Sequence, residues 1–492
     1  MRKILCFLSV VVLLASCNKE NGDELQKEID RQYESLLEAV SNRLLVTGYA
    51  EMGNMYIITM SDNSQRSINN CRVTLAGGVM TFTFADGRTV RINTAVPEVT
   101  ITEPAGGFVV DKMKWLLIQP QATAASDVSY KWSLSGKEIA GEKDLRWVFT
   151  KAGAYTLELK ATNGMGESVR TVTVTVNDRT CVNGVTRVFE YLPAPGQFIN
   201  VLPEATAGDT RETMRQKAEA VLTAGSLISL GGFGGYVVFG FDHTVVNRSG
   251  NDFTVLGNAI SGFGEPGVIM VSYDANGNGL PDDEWFEIAG SEYHKPTTIR
   301  NYEITYYKPA AEPDISDEPT TSALASAFFF EPTNTVAATT EQCLEDHLRV
   351  LNEPTNTVAA TTRSASEYIR WTDNQGQSGY LAKNSSHTQP YYPLWIGESY
   401  TLKGTLMVAN IIDPSGAGSD WVNPPYDSGY ADNFPNTDAR AQIDMDWAVD
   451  GNGNPVRLTG IDFVKVYTAN RATAGWLGEV STEVAGITDL NF

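Results

Sequence analysis

Short runs with apolar side chains at every second position recur from residue 46 to the C terminus, and they decide the fold class. Met80-Thr81-Phe82-Thr83-Phe84 and Tyr302-Glu303-Ile304-Thr305-Tyr306-Tyr307 are two of them. A period of two puts one set of side chains on one face of an extended chain, so such runs read as half-buried strands. Turn signals stand between them, among them Asp86-Gly87 and Asn163-Gly164, which suit tight hairpins. A chain of this kind is mainly β.

The first 17 residues follow another logic. Arg2 and Lys3 precede an apolar stretch of 11 residues, Ile4 to Leu14, and then comes Leu14-Ala15-Ser16-Cys17. A helix that spans a bilayer needs about 20 residues, so this stretch reads as an exported leader. The small residues before Cys17 form a lipobox, which makes residues 1–17 a lipoprotein signal peptide and the Cys17 thiol the point of lipidation. The expectation is a chain anchored by lipid in the outer membrane. Asn18 to Glu24 follow as a polar tether with three acids, similar to the export tags of surface lipoproteins. Loss of Arg2 and Lys3 takes the net charge from −22 to −24, which excludes nucleic acid as a partner, because phosphate binding needs a basic face. Cys71, Cys181 and Cys343 remain after the leader, an odd number without disulfide or zinc spacing.

The mature chain divides into segments of different character. Residues 18–45 hold the tether and an amphipathic helix. Its Leu25, Ile29, Tyr33, Leu36, Leu37 and Val40 recur at spacings of three and four, which predicts a stalk or a small coiled coil. Residues 46–94 predict a small β meander. Residues 95–177 carry strands near Trp115, Tyr130, Tyr155 and Arg170, the spacing of an immunoglobulin-like sandwich with Trp132 in its core. Residues 178–492 form the largest unit, expected as a jelly-roll β-sandwich. Asp209-Thr210-Arg211-Glu212 has capping-box spacing and starts a helix with Met214, Ala218, Val221 and Leu222 on one face. Ala220 to Phe241 carries no charge over 22 residues, yet its Gly231-Gly232-Phe233-Gly234-Gly235 core would break a membrane helix. The segment Glu331–Thr340 recurs as Glu353–Thr362, and the surrounding residues 309–366 read as a long loop with a duplication.

Two motifs point to ligands. Asp274-Ala275-Asn276-Gly277-Asn278-Gly279-Leu280-Pro281-Asp282-Asp283-Glu284 sets oxygen side chains at alternate positions around glycines, the arrangement by which a loop wraps calcium. Asp274, Asn276, Asn278, Asp282, Asp283 and Glu284 would supply side chains and Leu280 a carbonyl to a structural ion. A plain Asn-Gly hairpin is the other reading. At Asp450-Gly451-Asn452-Gly453-Asn454 the hairpin reading is preferred, because no carboxylate follows closely. The second motif is a set of loop aromatics, Trp395, Trp421, Tyr426 and Tyr430, with polar Asn423, Asp427 and Asp432 beside them. Such rings either stack on a flat ligand or sugar, or plug the end of the sandwich. For catalysis the sequence offers little: His243, His294, His347 and His387 show no metal spacing, and no nucleophile elbow occurs. The expectation is a protein that is not an enzyme.

Tyr130-Lys131-Trp132, Ala152-Gly153-Ala154-Tyr155-Thr156-Leu157 and Ala161-Thr162-Asn163-Gly164 resemble a PKD-type domain. Farther on stand Gly231–Asp242, Asp252–Ala259, Glu265-Pro266-Gly267, Tyr368–Asn374, Gly429-Tyr430-Ala431-Asp432-Asn433, Asp446–Asp450 and Gly475-Trp476-Leu477-Gly478-Glu479. In this order, with the calcium-like loop, they resemble the PKD-containing cell-surface lipoproteins of gut Bacteroidetes. That resemblance implies a partner in a TonB-dependent transporter and a role in capturing a nutrient, with a corrinoid of the vitamin B12 type as first choice. A glycan-binding lipoprotein, an adhesion or structural protein, and a glycoside hydrolase are the alternatives.

Overall fold

The computed structural model describes residues 20–122, 128–313 and 365–492. The leader with Cys17, most of the long loop, both copies of the repeat, His347 and Cys343 lie outside the described residues. The protein is mainly β, with two α-helices among the described residues, and it divides into two compact units.

The first unit takes in the described residues up to Asp111, with Leu116–Trp147 and Lys151–Asp178. Its helix, Glu20–Ser41, is not a free stalk. Ile29, Leu36 and Ala39 are buried in one core with Ile58, Met60, Phe82, Val90 and Ile92. Leu25, Leu37 and Val40 stay exposed, so the buried stripe is narrower than the apolar pattern. The strands of that core form two three-stranded antiparallel meanders, Val46–Met52 with Met55–Met60 and Gln65–Asn69, and Cys71–Ala76 with Val79–Phe84 and Thr89–Asn93. The sandwich part carries a five-stranded sheet in the order Lys137–Ala140, Ser129–Leu134, Gly153–Asn163, Gly166–Asn177 and Phe108–Asp111. Trp132 is fully buried there, and its indole N–H donates to the Lys143 carbonyl at 3.1 Å, which satisfies the ring's polar atom inside the core.

The second unit contains Arg179–Phe492. A six-stranded sheet runs in the order Arg187–Leu192, Tyr236–Val246, Gly460–Thr468, Gly267–Ser272, Phe286–Ile288 and Ala448–Val449. A four-stranded sheet orders Ser378–Leu381, Ile369–Asp373, Ile299–Tyr307 and Ser399–Leu406. The central strands read as continuous apolar runs because both of their faces are covered: Val237, Phe239, Ile269, Val271, Val464 and Val466 share one core, and Val268 and Tyr467 on the other face belong to another. A second core is aromatic, built from Phe233, Tyr302, Tyr306, Tyr368, Tyr391 and Tyr400.

The second helix, Arg211–Thr223, lays Met214, Ala218 and Leu222 on the first of these cores. Its capping box joins Thr210 to Thr213, whereas Asp209 pairs with Lys217 and bonds to Thr206. The uncharged segment from Ala220 passes through the end of this helix and a glycine turn into the strand Tyr236–Val246. No described helix is long and apolar enough to cross a membrane.

Candidate functional site

The loop aromatics do not form an open platform. Trp421, Tyr426 and Tyr430 are buried, and their polar tips bond within the protein. The Trp421 indole donates to the Gly418 carbonyl, the Tyr426 hydroxyl donates to the Val408 carbonyl, and the Tyr430 hydroxyl accepts from the Glu292 N–H at 3.0 Å. Asn423 is buried too, with its amide on the Gly264 carbonyl. Trp395 is half-buried and stacks on Tyr191 at 6.3 Å between centroids. Asp427 is exposed, with its N–H on the Ser291 hydroxyl. Trp421, Tyr426 and Tyr430, with their tips already bonded and their rings buried, have nothing left for a sugar, so for them the plug reading replaces the platform.

The loop Asp274–Glu284 follows the strand Gly267–Ser272, in a β context as expected. Its oxygens face inward on its own backbone. Asp274 accepts from the N–H groups of Asn278 and Gly279 at 3.0 and 2.9 Å, Asn276 from that of Asn278, and Asn278 from that of Leu280. Asp282 accepts the side-chain amides of Asn276 and Asn278, and these hydrogen bonds hold its carboxyl below the usual range. Asp283 accepts from the Ala275 N–H, while the Glu284 carbonyl receives the Ser272 hydroxyl. At Asp450 the chain makes the tight turn, with the Asp450 carboxylate on the N–H groups of Asn452 and Asn454.

Carboxylates converge elsewhere. A cavity of about 370 Å³ is lined by Glu265, Glu479, Ser481 and Glu483, with Gln197, Asn258, Phe198, Phe263 and His387 completing the wall. Glu265 stands just before the strand Gly267–Ser272. There Gly267 and Ala431 exchange backbone hydrogen bonds at 2.9 Å, and the Glu265 N–H donates to the Asp432 carbonyl. The C-terminal segment supplies the rest. Glu479, Ser481 and Glu483 are two apart in sequence, so on an extended chain they share one face. Ser229 pairs with Glu483 in a short ladder, and the Ser229 and Ser481 hydroxyls meet at 2.7 Å. Phe198 and His387 pack edge to face at 5.0 Å.

Asp432 lies close behind this wall. One carboxylate oxygen each of Glu265, Asp432 and Glu483 falls within 4.8 Å of the others. Asp432 is fixed by three backbone donors, the N–H groups of Asn258 and Ala259 at 2.8 Å and that of Glu483 at 2.9 Å. Its own backbone has φ of 50°, a strained conformation for a side-chain-bearing residue, and those bonds hold it there. Gly257 makes the approach possible, since a Cβ there would sit 2.2 Å from an Asp432 carboxylate oxygen. Gly196 does the same for Glu479, whose carboxylate would lie 2.5 Å from a Cβ and accepts the Gln197 N–H.

Burial raises all four acids above the usual carboxylate range. Desolvation is the largest cause for each, and the neighbouring Glu483 charge adds to it for Glu265, Asp432 and Glu479. Asp432 and Glu479 are both pushed up to about 8. Among the described residues none of the four pairs with a lysine or arginine. The sequence reading placed Asp432 in a ligand site beside the aromatics. Glu265 and Glu479 stand in stretches that carry the family resemblance, and their spacing in the chain does not join them. The signal available was the alternation of Glu479, Ser481 and Glu483 inside an otherwise apolar stretch.

Two other places have less to offer. Cys181, Asp242 and His243 cluster, but both His243 ring nitrogens are taken, by Asp242 at 2.9 Å and Asp489 at 3.2 Å, so the ring has no free nitrogen to activate the thiol. A cavity of the same volume on the five-stranded sheet is lined by Ser133, Tyr155, Glu158 and Thr171, with a single carboxylate.

No protein-family model matches the chain, and no curated protein matches it. Solved structures are similar over short spans. A quinoprotein alcohol dehydrogenase-like protein from Bacteroides thetaiotaomicron is 18% identical, with 18% of this chain and 20% of that chain covered, at a TM-score of 0.14. The PKD domain of human KIAA0319 is 14% identical, with 17% of this chain and 84% of that chain covered, at 0.15. The SGBP-B protein of a Bacteroides ovatus mixed-linkage glucan utilization locus, solved with a mixed-linkage heptasaccharide, is 21% identical, with 20% and 29% covered, at 0.15. The chain spans about a fifth of the length of the first of these.

Proposed function

We propose that this chain is a non-catalytic capture protein, lipidated at Cys17 and displayed on the outer-membrane surface, that holds a carbohydrate in the acidic cavity and passes it to a TonB-dependent transporter. The lining of the cavity carries the ligand class. Glu265, Glu479 and Glu483 offer carboxylate oxygens to the hydroxyl hydrogens of a sugar, while Phe198, Phe263 and His387 offer ring surface to its C–H face. A volume of about 370 Å³ lies toward the small end of ligand pockets, which run about 300–1,000 Å³. One or two sugar rings suit it. A corrin macrocycle would enter by an edge only, so the corrinoid of the sequence reading becomes the second choice.

Binding without hydrolysis follows the sequence, which offers no metal-binding histidine spacing and no nucleophile elbow. Placement at the cell surface rests on the lipobox and the acidic tether. The loop at Asp274 is proposed as a structural calcium site, supported by its inward-facing oxygens.

The test is an oligosaccharide array followed by calorimetry on the mature chain with Cys17→Ser, with cobalamin and cobinamide titrated alongside. An oligosaccharide is expected to bind, and Phe198→Ala and Glu479→Gln to weaken it at least tenfold. An array without hits, or binding that both variants leave intact, overturns the assignment. Tight corrinoid binding overturns it in favour of the second choice.

A further inference from the structure

The three acids that line the cavity, with Asp432 behind them, raise a question that a sugar does not answer. Buried carboxylates close together repel, and each costs several kcal/mol to desolvate while charged, unless a proton or a cation neutralises it. Three of them bring oxygens within 4.8 Å of one another. Calcium binds oxygens at about 2.3–2.6 Å, so even two ligands on opposite sides of the ion lie no more than about 5 Å apart. The spacing is that of a ligand shell.

A separate observation comes from the wall beside them. Glu479 is 7% exposed, and its Oε2 has no hydrogen-bond partner although the side chain lines the cavity. Its other oxygen accepts the Gln197 N–H. A buried carboxylate oxygen without a donor is rare, because it gives up its water for nothing. The other acids have partners: Glu265 and Glu483 hydrogen-bond to each other. Asp432 is fixed by the N–H groups of Asn258, Ala259 and Glu483, and Glu483 accepts the Ser481 hydroxyl at 2.8 Å.

We propose that Glu265, Asp432 and Glu483, with Glu479 beside them, form a calcium site in the cavity. The donors are all oxygen, which suits a hard cation, and they come from three separate chain segments, around residues 265, 432 and 479–483. Calcium tolerates such irregular shells, whereas magnesium demands a near-ideal octahedron at about 2.0–2.1 Å. The site is distinct from the loop at Asp274, which is contiguous in sequence and lies at the surface.

The experiment separates the two places. The mature chain carrying Asp274→Asn, which disables the surface loop, is stripped with chelator and titrated calorimetrically with calcium chloride, with no carbohydrate present. One saturable site is expected, accompanied by a rise in Tm. Adding Glu483→Gln or Glu479→Gln should weaken it at least tenfold while circular dichroism stays unchanged. Use of two variants keeps the test open if one of them fails to fold. Absence of calcium binding in the Asp274→Asn chain overturns the site, and so does binding that both glutamine variants leave intact. Because the titration contains no sugar, its failure leaves the proposed ligand capture standing, and a failed array leaves the cation site standing.

Discussion

The surface loop at Asp274–Glu284 and the cavity at Glu265, Asp432, Glu479 and Glu483 gather the same chemical groups in opposite surroundings. In the loop, asparagine amides pull Asp282 below the usual carboxylate range, and water completes its solvation. In the cavity, desolvation raises all four acids. Hydrogen bonds can hold a carboxylate charged at a surface at little cost. The same bonds at Asp432, three from backbone donors, do not overcome burial and the neighbouring Glu483. Bonds within the loop hold most of its oxygens, whereas the cavity exists only once the large unit has folded.

The largest expected effect tests that difference directly. Asp432→Ala strands the N–H groups of Asn258, Ala259 and Glu483 in the interior. An unsatisfied buried donor costs about 1–3 kcal/mol, so a loss of about 3 kcal/mol or more is expected from urea unfolding of the large unit. Asp282→Ala removes an acceptor of two exposed amides and should leave the midpoint unchanged. Equal effects would erase the distinction between the two regions.

A pH titration sharpens it further, through a single buried acid outside the cluster. Glu287 accepts the Thr405 hydroxyl at 2.7 Å on one oxygen, and its other oxygen has no partner. Burial pushes its carboxyl from 4.5 up to about 7. The folded value is the higher one, so this contribution to stability is full below about pH 4.5 and is lost as pH rises through 7. A shift of this size corresponds to about 3 kcal/mol. Glu287→Gln should flatten the fall in stability between pH 5 and 8. The lowered Asp282 acts with the opposite sign: its contribution is present above its ordinary value of 3.8 and is lost as pH falls through the folded one. A parent whose stability is flat from pH 5 to 8 would break the argument for burial at Glu287.

The loop was legible and the cavity was not, for the same physical reason. Asp274, Asn276 and Asn278 act on their own backbone, so spacing reveals them. The fold was legible where period and burial agree. The run Val79–Phe84 alternates half-buried and buried along its length, as its residues do in sequence. Val46–Met52 escaped notice because Gly48 interrupts it and its last four residues face solvent. The N-terminal helix showed its stripe but not its partner, since Ile29 and Leu36 would serve a coiled coil as well as the meander they cover. Tyr426 and Tyr430 misled because an aromatic in a loop does not disclose what receives its hydroxyl. Here the Tyr426 hydroxyl donates to the Val408 carbonyl, the Tyr430 hydroxyl accepts from the Glu292 N–H, and the rings are core. Asp432 was named among them, yet its partners come from segments more than 50 residues before and after it in the chain, around Glu265 and Glu483.

The smallest expected effect decides which region owns any calcium. Asp274→Ala removes two backbone hydrogen bonds at the surface, to Asn278 and Gly279, worth about 1 kcal/mol in net terms without the ion. With calcium in excess, a site in the loop adds RT ln(1 + [L]/Kd), about 2.7 kcal/mol at a hundredfold excess over Kd, and Asp274→Ala loses that as well. Melting curves of the parent, Asp274→Ala and Glu483→Gln, each with calcium and with chelator, therefore give six Tm values. A chelator shift abolished by Asp274→Ala assigns the stabilising ion to the loop. A shift that survives Asp274→Ala and disappears in Glu483→Gln assigns it to the cavity, where the ion would offset the charge that burial leaves unpaired. No shift in the parent removes calcium from both regions, and the raised carboxyls of the cavity would then be neutralised by protons alone.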